Sequence, residues 1–148
     1  MNPFTIRPMT TADFPAILSL IREFAVFQKT PEKVTITEEG MRQNKDLFQG
    51  FVAELPGGAI AGFASFFFAY YSWSGKALYL DDLYVRAESR GSGIGKALLL
   101  TLVEQARGAG CIKMRWQVSQ WNEHAIHFYR SLGAEVDGTE LNCDLKLK

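Results

Sequence analysis

Two cysteines in 148 residues, Cys111 and Cys143, are too few for a disulfide framework, and neither has a partner at C-x-x-C spacing. Both read as small buried residues rather than reactive thiols. Charge of one sign is also lacking. Sixteen Lys and Arg balance sixteen Asp and Glu, so no overall field draws in a polyanion, and no nucleic-acid partner is expected. No apolar run is long enough to span a bilayer, because the longest, Ile60-Ala-Gly-Phe-Ala-Ser-Phe-Phe-Phe-Ala, is interrupted by Gly62 and Ser65. Arg7 and Asp13 stand where a secretory apolar segment would lie, so the expectation is a soluble, cytoplasmic protein with no membrane partner. Histidine is scarce as well: His124 and His127 share a helix face, no third ligand is suitably spaced, and no metal is expected. Repeats, low-complexity tracts and linkers are missing. With 47% hydrophobic residues, the chain predicts one core and one domain over residues 1–148.

What is present alternates between strand and helix signals. Phe4 to Arg7 reads as a first strand ended by Pro8, and the hydroxyl and acid groups of Thr10 to Asp13 suit a helix cap. Ile17, Leu18, Leu20, Ile21, Phe24 and Ala25 recur at helical spacing up to about Phe27, and Thr37 to Phe48 predicts a second helix. Phe51 to Leu55, the turn at Pro56-Gly-Gly, and Ile60 to Tyr71 form a hairpin pattern whose second strand is apolar on both faces, hence central or covered. Ala77 to Val85 is a further strand, Gly93 to Gly108 a helix, Lys113 to Val118 a fifth strand and Glu123 to Leu132 a helix. Glu140 to Leu147 alternates like a last strand.

The chain's chemistry gathers around residues 79–100. Asp81 and Asp82 lie in the middle of a strand, and strict alternation would set adjacent carboxylates on opposite faces, where they cannot act as a dyad. After the strand, Gly91, Gly93 and Gly95 lie between Arg90 and Lys96 and run straight into a helix. Such glycines let backbone N–H groups converge on one point at the positive end of a helix, which makes a cradle for phosphate, with Arg90 and Lys96 adding countercharge. A nucleotide-triphosphatase loop is excluded, because Arg90 occupies its first glycine position and Ala97 its metal-binding hydroxyl. The spacing also departs from the dinucleotide fingerprint.

The run R-G-S-G-I-G-K-A at residues 90–97 resembles the R/Q-x-x-G-x-G/A loop of the GNAT superfamily of acetyl-CoA-dependent N-acetyltransferases. Three segments are similar to the spermidine/spermine and thialysine acetyltransferases: I-R-P-x-T-x-A-D near the start, Y-L-D-D-L-Y-V-R-x-x-x-R-G-S-G-I-G-K in the middle, and W-N-E-H-A-I-H-F-Y-R-S-L-G-A near the end. The likeness runs from Thr5 to about Ala134. It implies an α/β GNAT fold, a mixed twisted sheet with helices on both faces, and acetyl-CoA as co-substrate. Transfer would go to a primary amine of a small metabolite, by direct attack within a ternary complex. A non-catalytic module that senses acyl-CoA or docks to a partner, and an enzyme acetylating a protein or peptide, are the other readings.

By the same resemblance, Tyr129 of F-Y-x-x-x-G-A is the acid that protonates the leaving thiolate, and Asp81 acts toward the amine through water. Most relatives carry the longer glutamate at position 81. Leu83, Tyr84 and Val85 would offer backbone groups to the pantetheine arm, and Asn122 would contact the cofactor. The loop members Arg90, Gly91, Ser92, Gly93, Ile94, Gly95 and Lys96 would hold its pyrophosphate. Phe27, Gln28, Asp81 and Asp82 would line the acceptor site. Polyamine-acetylating relatives have an acid where this chain has Gln28. The resembling enzymes are homodimers, and the aromatic run Phe66-Phe67-Phe68, Tyr70-Tyr71 and Trp73 provides apolar surface for self-association.

Overall fold

The computed structural model describes residues 3–148 and resolves into two compact units, one running through Trp116 and the other Gln117–Lys148. The first holds a five-stranded sheet in the order β1 (Thr5–Pro8), β2 (Gln49–Glu54), β3 (Ile60–Tyr71), β4 (Gly75–Val85) and β5 (Lys113–Arg115). Pairing is antiparallel from β1 to β4 and parallel between β4 and β5, so the sheet is mixed. Pro8 is the last residue of β1, which stops there as expected. A strand at the sheet edge tolerates a residue with no N–H to give.

Strand alternation assigns the two faces. Val52, Phe63 and Tyr84 lie in one row across β2, β3 and β4 and pack into a core with Phe14, Ile17, Leu18 and Leu20 of α1 (Phe14–Phe27). The residues between them turn the other way, toward α3 (Ile94–Gly108), whose Leu98, Leu99 and Leu102 are buried. Helices thus cover both faces, which is why β3 is apolar on both sides from Ile60 to Phe66. From Phe67 onward the strand runs past the helices and its aromatics become exposed.

The start of α1 is tied to the sheet by charge. Arg7 gives two hydrogen bonds to Asp13, both 2.8 Å, and a third from Nε to Glu54 at 2.7 Å. Asp13 is buried, also accepts from the Thr10 amide at 2.8 Å, and is held below its ordinary pKa chiefly by Arg7. This is the capping role expected of the Thr10 to Asp13 run.

Three expected elements are shorter or missing. The second helix, α2 (Glu38–Gln43), starts where Thr37 caps it by accepting from the Gly40 amide at 3.1 Å. It stops well before Phe48, because the Asn44 side chain donates to the Gly40 carbonyl at 2.8 Å and closes the last turn. The fifth strand ends at Arg115 instead of Val118. In the second unit α4 (Glu123–Ser131) forms as expected, but Glu140 to Leu147 makes no strand, and Leu141, Leu145 and Leu147 stay exposed. Alternation supplies two faces, yet a strand also needs a ladder partner, which this segment does not have within its unit.

Candidate active site

The centre of the first unit's site is an irregularity in β4. Leu80 pairs with Phe66 and Asp82 with Ser65, which leaves Asp81 as the extra residue of a β-bulge. The Asp82 amide donates to Ser65 Oγ at 3.2 Å, a side-chain bond at the point where the ladder shifts. The bulge interrupts the strict alternation of β4 at Asp81. Asp81 is exposed but desolvated enough to hold its carboxyl above the usual value, and its charge raises both Tyr79 and Asp82. Asp82 is half-buried, and burial first, then Asp81, pushes its pKa up to about 6. The Asp81 charge thus acts on Asp82 through space, second to burial.

The same bulge accounts for the short fifth strand. β5 accompanies β4 only from Ala77 to Tyr79, immediately before the bulge, and bulges sharpen the local twist and bend. Past that point β4 keeps β3 as a neighbour on one side, and among the described residues of this unit its other edge from Leu80 to Val85 has no ladder partner. Leu83, Tyr84 and Val85 lie on this open edge. A strand edge with unused N–H and C=O groups is a template for an extended, amide-bearing ligand.

Directly after that edge comes the glycine loop. Gly91 and Gly93 have φ of 82° and 87°, a region that favours glycine, and a Cβ on either would meet nothing within 4 Å, so the loop borders open space. Gly93 is also the N-cap of α3 and supplies no side-chain bond, so the amides of the first turn, from Ile94 through Gly95 to Lys96, lack a side-chain cap. Ser92 Oγ donates to the Ser89 carbonyl at 2.6 Å and stiffens the loop. Uncapped amides, open space and a helix of 15 residues fit a pyrophosphate. Lys96 is exposed beside them.

Arg90 also has partners within the protein. Its Nε donates to the Val85 carbonyl at 3.0 Å, and its guanidinium lies over the rings of Phe27 and Tyr84. Phe27, at the end of α1, is thereby joined to the loop. Gln28 is the C-cap residue of α1, its amide donating to the Phe24 carbonyl at 2.9 Å, and Lys29 follows in a left-handed conformation. Glu23 was missed in the sequence. It accepts from the Tyr84 hydroxyl at 3.0 Å and stands 3.6 Å from Arg86. Its one sequence signal is its position a helical turn before Phe27, on the same face of α1.

Asn122 and Tyr129 belong to the second unit. Asn122 is the N-cap of α4, its side-chain oxygen accepting from the Ala125 amide at 3.2 Å, which leaves its NH₂ group as a donor. Tyr129 sits in the last turns of α4, half-buried, and burial raises its pKa above 10. The helix closes with a Schellman cap: the Ala134 amide reaches the Tyr129 carbonyl at 3.2 Å and the Gly133 amide reaches that of Arg130 at 3.0 Å, with Gly133 at φ 93°. The glycine and alanine of F-Y-x-x-x-G-A thus fix the end of the helix that carries the tyrosine. His124 and His127 are exposed, and among the described residues no group of three His, Cys, Asp or Glu is placed to hold a metal. No helix of the described residues is long and apolar enough to cross a membrane.

Residues 14–134 match the acetyltransferase (GNAT) family, a span that crosses both units. The chain is 35% identical over 141 residues to the thialysine N-epsilon-acetyltransferase of Bos taurus, covering 88% of this chain and 83% of that protein. It is 37% identical to a human spermidine/spermine N(1)-acetyltransferase-like protein, covering 90% of this chain but 21% of that longer one. In three dimensions it is similar to an aminoglycoside acetyltransferase from an uncultured soil metagenomic sample, with a TM-score of 0.80, 25% identity and 97% of each chain covered.

Proposed function

The chain belongs to the GNAT acetyltransferase family, and from that premise we propose that it moves the acetyl group of acetyl-CoA to a primary amine on a small, thialysine-like metabolite. The observation that carries the reading is the unpartnered β4 edge running from the Asp81 bulge directly into the uncapped N-terminus of α3. Residues 1–148 act as one domain in this reading, supported by a family match that spans both compact units. A cytoplasmic setting belongs to it too, since the reaction consumes an intracellular thioester.

Leu83 to Val85 would hold the pantetheine arm by backbone hydrogen bonds, the loop from Gly91 to Lys96 the pyrophosphate, and Asn122 a cofactor amide. Acetyl-CoA supplies an acyl group on a thiolate leaving group. The acceptor arrives as an ammonium ion and must lose a proton before it can attack, and Asp81, ionised and exposed beside Asp82, takes that proton through a water. A backbone amide of the open edge polarises the acyl carbonyl. Tyr129, kept protonated by burial, gives its proton to the departing sulfur. Cys111 and Cys143 lie outside this machinery, so attack is direct, without an acyl-enzyme. Thiol release from acetyl-CoA, followed over a panel of amines, tests the reading.

Gln28 directs the choice of amine. A neutral amide at the end of α1 suits the polar tail of a lysine analogue and offers no ion-pair acceptor for the second ammonium of a polyamine. Gln28→Glu is therefore expected to shift the ratio of kcat/KM for spermidine over thialysine upward by about tenfold. Spermine as the best substrate of the unmodified protein, or an unchanged ratio in the variant, would leave only the amine class standing.

The protein self-associates in this reading. Phe67, Phe68, Tyr70 and Trp73 form an exposed aromatic end to the β3–β4 hairpin, and Trp73 is fully exposed. Sedimentation is expected to give a dimer at micromolar concentration, with Trp73→Ser moving it toward monomer. A monomeric unmodified protein would count against this surface.

A further inference from the structure

Arg90 opens the phosphate loop, a place where a cation is ordinarily assumed to act on pyrophosphate by charge. Its side chain also has partners within the protein. Nε bonds the carbonyl of Val85, the last residue of β4, at 3.0 Å. The guanidinium carbon lies 5.2 Å from the centre of the Phe27 ring and 5.4 Å from that of Tyr84, within cation–π range of both. Tyr84 is itself anchored, its ring stacked on Phe24 at 5.0 Å and its hydroxyl bonded to Glu23 at 3.0 Å. A continuous set of contacts therefore joins the last two turns of α1, the end of the open β4 edge and the first residue of the loop. Two of its anchors, Glu23 and Phe24, are some sixty residues away in sequence from Tyr84.

We infer that Arg90 is a positioning residue, which clamps the phosphate loop to the end of α1 through Phe27, Tyr84 and the Val85 carbonyl and serves cofactor binding by geometry rather than as a free countercharge. The inference rests on the reading of the loop as the pyrophosphate site. It also couples the two substrates. Phe27 is followed by Gln28, so the clamp that holds the loop also fixes the acceptor end of α1, and coupling between two binding sites is reciprocal.

Arginine and lysine separate charge from geometry. Lysine keeps the cation but loses the planar fork that bonds a carbonyl while stacking on two rings. CoA affinity is to be measured by calorimetry for the unmodified protein, Arg90→Lys, Arg90→Ala and Tyr84→Phe, well below each thermal midpoint so that lost stability does not pass for lost binding. Arg90→Lys is expected to weaken CoA by about fivefold, nearly as much as Arg90→Ala, and Tyr84→Phe, which keeps the ring but loses the tie to Glu23, by about two- to threefold. At saturating acetyl-CoA, Arg90→Lys is also expected to raise the amine KM, which loss of a phosphate contact alone would not do. Arg90→Lys binding CoA like the unmodified protein while Arg90→Ala loses affinity would restore the countercharge role and overturn the inference. Equal affinity in all four proteins would overturn it too. Failure of the unmodified protein to bind CoA would instead remove the phosphate-loop reading, and the clamp's purpose with it, and is told apart because the parent protein fails.

Discussion

Replacing Tyr129 with Phe is expected to lower kcat by about a hundredfold or more while CoA affinity stays within about twofold, the size of effect that loss of a positioned acid produces. The phenol is suited to the task because burial raises its pKa, so at neutral pH it carries the proton that the sulfur needs. Phenylalanine keeps the ring, its contact with Phe128 at 5.6 Å between centroids, and the Schellman cap, which uses only backbone. An unaltered kcat would remove Tyr129 from the acid role. A fall in CoA affinity equal to the fall in rate would make it a binding residue.

Asp82→Asn is expected to move stability and activity in opposite directions. Between the unfolded value of 3.8 and the folded value of about 6, the folded protein binds the Asp82 proton more tightly. Its contribution to stability is fully present below pH 3.8 and is lost as pH rises through 6. Above that pH the ionised, half-buried carboxylate costs about 1–2 kcal/mol after allowance for solvent screening, so the neutral amide should raise the thermal midpoint by a few degrees at pH 7.5. Activity should fall about tenfold to a hundredfold, because the acceptor's ammonium loses one of the two carboxylates that line its site. Asp82 is the carboxyl whose pKa stands at about 6, so the acidic limb of kcat/KM expected there should move when that group can no longer titrate. A lower thermal midpoint with an unmoved limb would show that Asp82 has a structural role only.

Periodicity in the chain is enough to place α1, α3, α4 and β3, because each buries a regular stripe or face and ends at a residue with a local reason to stop. Gly133 and the Gly-Ala-Gly run at residues 108–110 are such stops. The bulge at Asp81 escapes this reading, although two charges in a strand centre are its outward sign, because register depends on the partner strand and not on the strand itself. The segment from Glu140 fails for the related reason that alternation does not provide a partner. The phosphate loop is legible because backbone chemistry there requires glycine. The fate of the Arg90 side chain is not, since Phe27 and Tyr84 come to it through tertiary packing. Glu23 is hidden in the same way, a charged residue on a helix whose partner is a distant tyrosine.

Thiol release from acetyl-CoA with thialysine, lysine, ornithine, spermidine and spermine as acceptors tests the central claim most directly. The expected result is amine-dependent release, fastest with the amino-acid substrates and lost in Tyr129→Phe. Tight binding of CoA with no release above background for any amine would contradict it and leave an acyl-CoA-binding module in place of an enzyme.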